Sequence, residues 1–143
     1  MRILIKQNLY EAAYNELNAP RFSELIENKT IHEIEKMYYL GIVISNTSLE
    51  SQKSGLNYFE EAYEAIKEKS IMELTWKILY ALAGSYMGRG LFKKSADYIY
   101  LCKSLIDHII LNIKDMRLRN SYIADVERKA AIEQLELWQN SVK

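Results

Sequence analysis
The residues with the means to do chemistry are few, and their spacing does not suit it. Cys102 is the single cysteine, so the chain has neither an internal disulfide nor a thiolate cluster for zinc. The two histidines are His32 and His108. Cys102 and His108 are six positions apart, on different sides of a helix, which argues against a thiol–imidazole dyad or a shared metal. His32 falls in a first helical turn and reads as solvated. His108 lies in the apolar run Leu105-Ile106-Asp107-His108-Ile109-Ile110 and reads as a packed or edge residue, while Cys102 reads as a buried, inert thiol. Gly84-x-x-x-Gly88-x-Gly90 imitates a phosphate loop, but no strand precedes it and no Gly-Lys-Ser/Thr follows. The carboxylates Glu60-Glu61 and Glu33/Glu35 project in different directions and read as solvated helix faces, not as an acid–base pair. Lys114, Arg117, Arg119, Arg128 and Lys129 form a mild basic stretch of the kind that takes a phosphate or an acidic peptide, broken by Asp115, Asp125 and Glu127. The sequence therefore predicts no catalytic, cofactor-binding or metal-binding residue, and a protein that is not an enzyme.

Composition sets what remains. A chain of 143 residues, 49% apolar and 27% charged, is long enough to bury a core of its own. One proline and five glycines leave few breaks, which favours long helices. Basic and acidic side chains balance at 19 each, which argues against a nucleic-acid binder relying on a global positive field. Residues 1–70 carry 8 basic and 11 acidic side chains, and residues 71–143 carry 11 and 8. That asymmetry would suit head-to-tail stacking, although scattered solvated charge is the simpler account and the preferred one. The opening Met-Arg-Ile-Leu-Ile-Lys is too short an apolar run for a signal peptide, and nothing approaches a membrane span. With the lone cysteine, this predicts a cytoplasmic setting, where the Asn28 and Asn46 glycosylation patterns would carry no meaning.

The helix signals are local. Thr30-Ile31-His32-Glu33 and Ser70-Ile71-Met72-Glu73 both have the form of a capping box, in which the hydroxyl takes a backbone N–H and the glutamate reaches back. From Thr30 an apolar stripe runs through Ile34, Met37, Leu40 with Gly41, and Ile44. From Ser70 it runs through Leu74 or Thr75, Ile78 or Leu79, Leu82 and Tyr86. A partner helix over 53–68 offers Leu56, Phe59, Ala62, Tyr63 and Ile66, and another over 92–113 offers Ala96, Ile99, Cys102, Ile106 and Ile110. Gly88-Arg89-Gly90 supplies a helix exit. Near the N-terminus, Ala19-Pro20 breaks a helix and a short one follows over 21–27. The tail from Asp115 reads as one helix to Gln139, with Ile123, Val126, Ala130 and Leu137 as the stripe that closes the last hairpin and Trp138 as a capping contact in preference to an exposed anchor.

Two of these stretches spell the same text. Met37, Leu40, Gly41, Ile44, Gly55, Phe59 and Ala62 align with Leu79, Leu82, Ala83, Tyr86, Ser95, Ile99 and Cys102. Asn8–Ala13 parallels Gly90–Ser95, so the small residues Ala13, Gly55 and Ser95 fall 42 and 40 apart. On this alignment Met1 lies inside the first helix of an earlier hairpin, which predicts that the chain was cut from a longer array.

The large–small pair Leu40-Gly41 or Leu82-Ala83, followed by Gly55/Phe59/Ala62 or Ser95/Ile99/Cys102, resembles the tetratricopeptide repeat, and Gly90 matches its turn glycine. Here the period is nearer forty than thirty-four, Lys67 and Asp107 stand where that repeat commonly has proline, and Met37 and Leu79 replace its tryptophan. The resemblance implies an all-α fold of antiparallel hairpins stacked as a right-handed α-solenoid. It would hold six to seven helices in one domain: a partial repeat over 1–29, repeats over 30–69 and 70–113, and a capping helix over 114–143. It also implies an inner groove lined by Glu35, Tyr38, Ile42 and Ser45 from one hairpin and Lys77, Tyr80, Gly84 and Met87 from the next, with Tyr38 and Tyr80 as anchors. The alternative is that both tyrosines merely cover hairpin contacts. Lys114–Ile123 is similar to the closing segment of repeat regions in large bacterial signalling proteins, which pair such repeats with an ATPase, kinase, cyclase or DNA-binding module. The expected role is thus a scaffold that binds a protein or peptide or self-associates, without nucleic acid or membrane. The competing expectation is a sensor whose curvature changes when a small molecule or peptide binds.

Overall fold
The computed structural model describes residues 30–46 and 54–142. Among these residues the chain is all-α, with six helices and no strand. It divides into two compact units, Met1–Ile71 and Met72–Lys143. The expected partial repeat over 1–29, the break at Ala19-Pro20 and the short helix over 21–27 lie outside the described residues.

The first unit holds helices α1 (Ile31–Ser45) and α2 (Gly55–Ile66), packed together along their lengths. Thr30 starts α1 as expected: its extended backbone and its Oγ1, which accepts from Glu33 N at 3.4 Å, relieve one of the unpaired N–H groups of the first turn. Ser54 does the same for α2 through Asn57 N at 3.2 Å. At the other end of α1, Asn46 turns its side-chain amide back onto Ile42 O at 2.8 Å. The core between the helices is built from Ile34, Met37, Leu40 and Val43 with Leu56, Phe59, Ala62 and Ile66, all buried. Two glycines set how closely the helices approach. A Cβ on Gly41 would lie 2.5 Å from the Phe59 ring, and one on Gly55 would lie 2.7 Å from Gly41 O and 2.0 Å from Ser45 Oγ. The backbones thus meet where any larger residue would wedge them apart.

In the second unit, α3 (Met72–Gly88) and α4 (Phe92–Leu111) form a hairpin through a three-residue turn. Gly90 at φ +74° makes the turn, with Leu91 N on Tyr86 O (3.0 Å) and Gly90 N on Met87 O (3.1 Å), the paired bonds of a Schellman exit. Trp76, Ile78, Leu79, Leu82, Ala83 and Tyr86 of α3 are buried, as are Ser95, Ile99, Cys102 and Ile106 of α4. The close approach recurs at the aligned position: Ser95 Oγ donates to Ala83 O at 2.8 Å, where Gly55 sits against Gly41 O in the first unit. Cys102 Sγ donates to Trp76 O at 3.3 Å, and burial pushes the thiol up to about 12, so it stays protonated and inert at neutral pH.

The tail departs from expectation. In place of one helix from Asp115 to Gln139 there are two, α5 (Met116–Ala124) and α6 (Val126–Ser141), divided at Asp125. Asp125 leaves the helical conformation (φ −55°, ψ 130°), and its Oδ1 accepts from Glu127 N at 3.1 Å and Arg128 N at 3.2 Å. An aspartate competes with the ladder for nearby N–H groups, and here it ends one helix and starts the next. Asp115 starts α5 in the same way. The break also changes which face turns inward. Ala131 and Leu135 are the buried residues of α6, while Val126 (84% exposed), Leu137 (61%), Ala130 and Ile123 of the expected stripe face away.

The aligned positions exchange volume, Gly41 with Phe59 against Ala83 with Ile99. Gly41→Ala is therefore expected to destabilise the first unit by about 1–3 kcal/mol through overpacking. Adding Phe59→Ile should return part of that loss. Urea unfolding of the two single variants and the double variant, followed by circular dichroism, measures the coupling.

Candidate functional site
The expected groove residues are divided between the two units, four in each. In the first unit Tyr38 is only 9% exposed, its ring 6.1 Å from Phe59 and 5.3 Å from Tyr39. Tyr38 therefore covers the hairpin contact. Around it Glu35 and Ile42 are half-buried, and Ser45 is exposed.

In the second unit, α6 lies against the residues assigned to the groove. Tyr80 stacks on Trp138 at 5.2 Å between centroids and 29° between planes. Gly84 sits beneath the same indole: a Cβ there would reach Trp138 Cη2 at 3.1 Å, so the missing side chain is what lets the ring lie flat. Lys77 Nζ stands 3.9 Å from Glu127 Oε1, and Met87, half-buried, is the last of the four. Trp138 thus makes a capping contact on this hairpin.

The centre of the arrangement is Glu73. Its Oε1 accepts from the Tyr122 hydroxyl of α5, and its Oε2 accepts from Trp76 Nε1 and Arg128 NH2, each at 3.1 Å. The Arg128 guanidinium lies 3.9 Å above the Tyr122 ring and 3.7 Å from Asp125 Oδ2. Partial burial alone would raise the Glu73 carboxyl. The hydrogen bonds from Tyr122, Arg128 and Trp76, with the arginine's charge, outweigh it and hold the group below the usual carboxylate range. Burial together with Glu73's hydrogen bond and charge pushes the Tyr122 phenol well up. Farther along, Lys103 Nζ of α4 donates to Gln139 Oε1 at 2.7 Å.

Position in the sequence explains the geometry. Glu73, Lys77, Tyr80 and Gly84 follow at steps of four, three and four, one stripe on α3. Arg128, Ala131, Leu135 and Trp138 follow at steps of three, four and three, one stripe on α6. Each stripe spans roughly 15–17 Å at the helical rise. With Glu73 on Arg128 at one end and Gly84 on Trp138 at the other, α6 runs alongside α3 in the same direction.

Sequence reasoning missed Glu73, Tyr122 and Arg128. Glu73 fits a capping box by spacing, yet its carboxylate is taken by three side chains, and α3 begins at Met72, two residues past Ser70. The basic stretch does not gather into a phosphate site. Arg128 is engaged by Glu73, and Arg119 donates twice to Ile113 O, at 2.8 and 3.1 Å. His32 and His108 are both exposed; His108 lies beside the Asn112 amide, not in the core. Among the described residues, no group of three His, Cys, Asp or Glu side chains is placed to hold a metal ion, and no helix is long and apolar enough to cross a membrane. The signal that locates the site is the matching pair of stripes, each with an ionic end and an aromatic end.

Comparison of the chain with protein-family models, with curated proteins and with solved structures gave no match.

Because Glu73 titrates lower in the folded chain than unfolded, its contribution is complete above the usual carboxylate range and is lost as pH falls through the depressed value. Asp125 and Glu127 stand at the same site, 3.7 Å from Arg128 and 3.9 Å from Lys77. Acidification should thus loosen α6 before the α3–α4 core melts. Both tryptophans of the chain, Trp76 and Trp138, lie at the site, so their fluorescence reports the step, and Glu73→Gln should flatten it.

Proposed function
We propose that this chain is a non-catalytic scaffold of tetratricopeptide-like helical hairpins that binds a protein or peptide or associates with itself, in the setting of a bacterial regulatory protein. One observation carries the reading. The aligned small residues Gly55 and Ser95 each sit on the carbonyl of the aligned residue of the preceding helix, Gly41 and Ala83. Two hairpins built on one plan are what a stacked array requires, since each unit of such an array covers the apolar flank of the next. The ionisable groups of the candidate site support the same reading. Glu73, Arg128, Asp125, Lys77 and Glu127 pair with one another and hold two helices together, where a catalytic cleft would aim them at a shared point.

Binding in this reading uses the half-buried and exposed groove positions rather than the packed tyrosines. Glu35→Arg and Met87→Arg, each made separately, should leave the melting temperature near that of the parent chain and abolish retention of whatever the parent chain captures when immobilised. Light scattering on the same proteins separates capture of a partner from self-association. Retention unchanged in both variants would remove the groove. A Tyr38→Ala variant, by contrast, should melt several degrees lower, because its ring packs on Phe59.

A further inference from the structure
The helix α6 is held by a grip unlike that of the hairpin it covers. The α3–α4 pair is joined through buried apolar side chains and two buried hydrogen bonds to backbone carbonyls. In α6 only Ala131 and Leu135 are buried. Its other anchors are half-exposed: Arg128 on Glu73, Glu127 near Lys77, Gln139 on Lys103 and Trp138 on Tyr80. Contacts of this kind exchange readily with water and salt. The segment that leads to α6 buries no residue and reaches the seat through Tyr122 on Glu73. One group is worse off in the seat than out of it. Arg128 Nε is buried with no hydrogen-bond partner, a cost that release of the helix removes.

The seat itself is specific. Glu73 at one end takes a guanidinium, Gly84 and Tyr80 at the other take an indole, and the distance between them fixes the two groups ten residues apart on a helix. We propose that this face of α3 is a receiving surface for an amphipathic helix with an arginine and a tryptophan ten positions apart, and that α6 is its resident occupant, displaced when such a helix arrives from outside. This receiving face rests on the scaffold reading and gives the scaffold's partner a chemical class. Displacement keeps the receiving face closed until a competitor overcomes the advantage of a tethered helix, which acts at an effective concentration on the order of millimolar.

The test uses the full chain and, as probe, a fluorescein-labelled peptide of residues 125–142. Wild type should bind it weakly, because the resident helix competes. Arg128→Ala with Trp138→Ala should raise the affinity at least tenfold, and adding Glu73→Gln and Tyr80→Ala should abolish that gain. Hydrogen exchange should show the α6 amides of the double variant unprotected while those of α3 and α4 keep their protection. A double variant whose α6 exchanges freely yet which does not take the peptide overturns the proposal, as does one whose α6 stays protected. If the double variant does not fold, exchange in the wild-type chain decides: α6 opening ahead of α3 and α4 upholds a displaceable helix, and exchange of all three together rejects it. Either negative result leaves the scaffold reading in place, since that is tested at Glu35 and Met87.

Discussion
Both hairpins depend on how closely two helices can approach at one point. In the first, Gly55 rests against Gly41 O, and Phe59 fills the space over the missing side chain of Gly41. In the second, Ser95 converts the same approach into a 2.8 Å hydrogen bond to Ala83 O. A small residue there brings the backbones together, which lets the larger side chains along each stripe interlock and exclude water. The position behaves as a constraint on the pair. Loss of volume on one helix is met by added volume on the other, so neither residue can be understood alone.

Where that approach ends, polar contacts take over. The C-terminal helix closes the second hairpin through a carboxylate shared by a phenol, an indole N–H and a guanidinium, with a stacked tryptophan at the far end. Such a network has value when every member is satisfied and is costly when one is not. Here Glu73 is well supplied and Arg128 is not, since its Nε remains without an acceptor. The outcome is a helix that is accurately placed and modestly anchored. Its outward face meanwhile carries Val126 and Leu137, apolar and exposed.

Local chemistry dictated much of this. The capping hydroxyl of Thr30, the turn glycine Gly90 and the apolar stripes of α1 to α4 are written in short windows, and the helices form close to where those windows place them. The pairing of small with large residues at a forty-residue interval marked out both hairpins, because periodicity and side-chain volume are properties of the chain itself.

What no window contains is the partner of a polar side chain. Glu73 stands three residues after Ser70 and fits a capping box by spacing; only folding brings Tyr122 and Arg128, 49 and 55 residues away, to its oxygens. The tail shows the same division. Its helical character was legible, but Asp125 could equally cap or lie on a helix face, and its choice to cap rotated Ala131 and Leu135 inward in place of Val126 and Leu137. The sequence by itself determined the helices, their apolar faces and the close-approach points, since these follow from backbone geometry and side-chain size over a few turns. Tertiary structure alone decided which polar groups meet and that α6 covers Tyr80 and Gly84, because those outcomes turn on competition among distant groups for the same hydrogen bonds and the same exposed face.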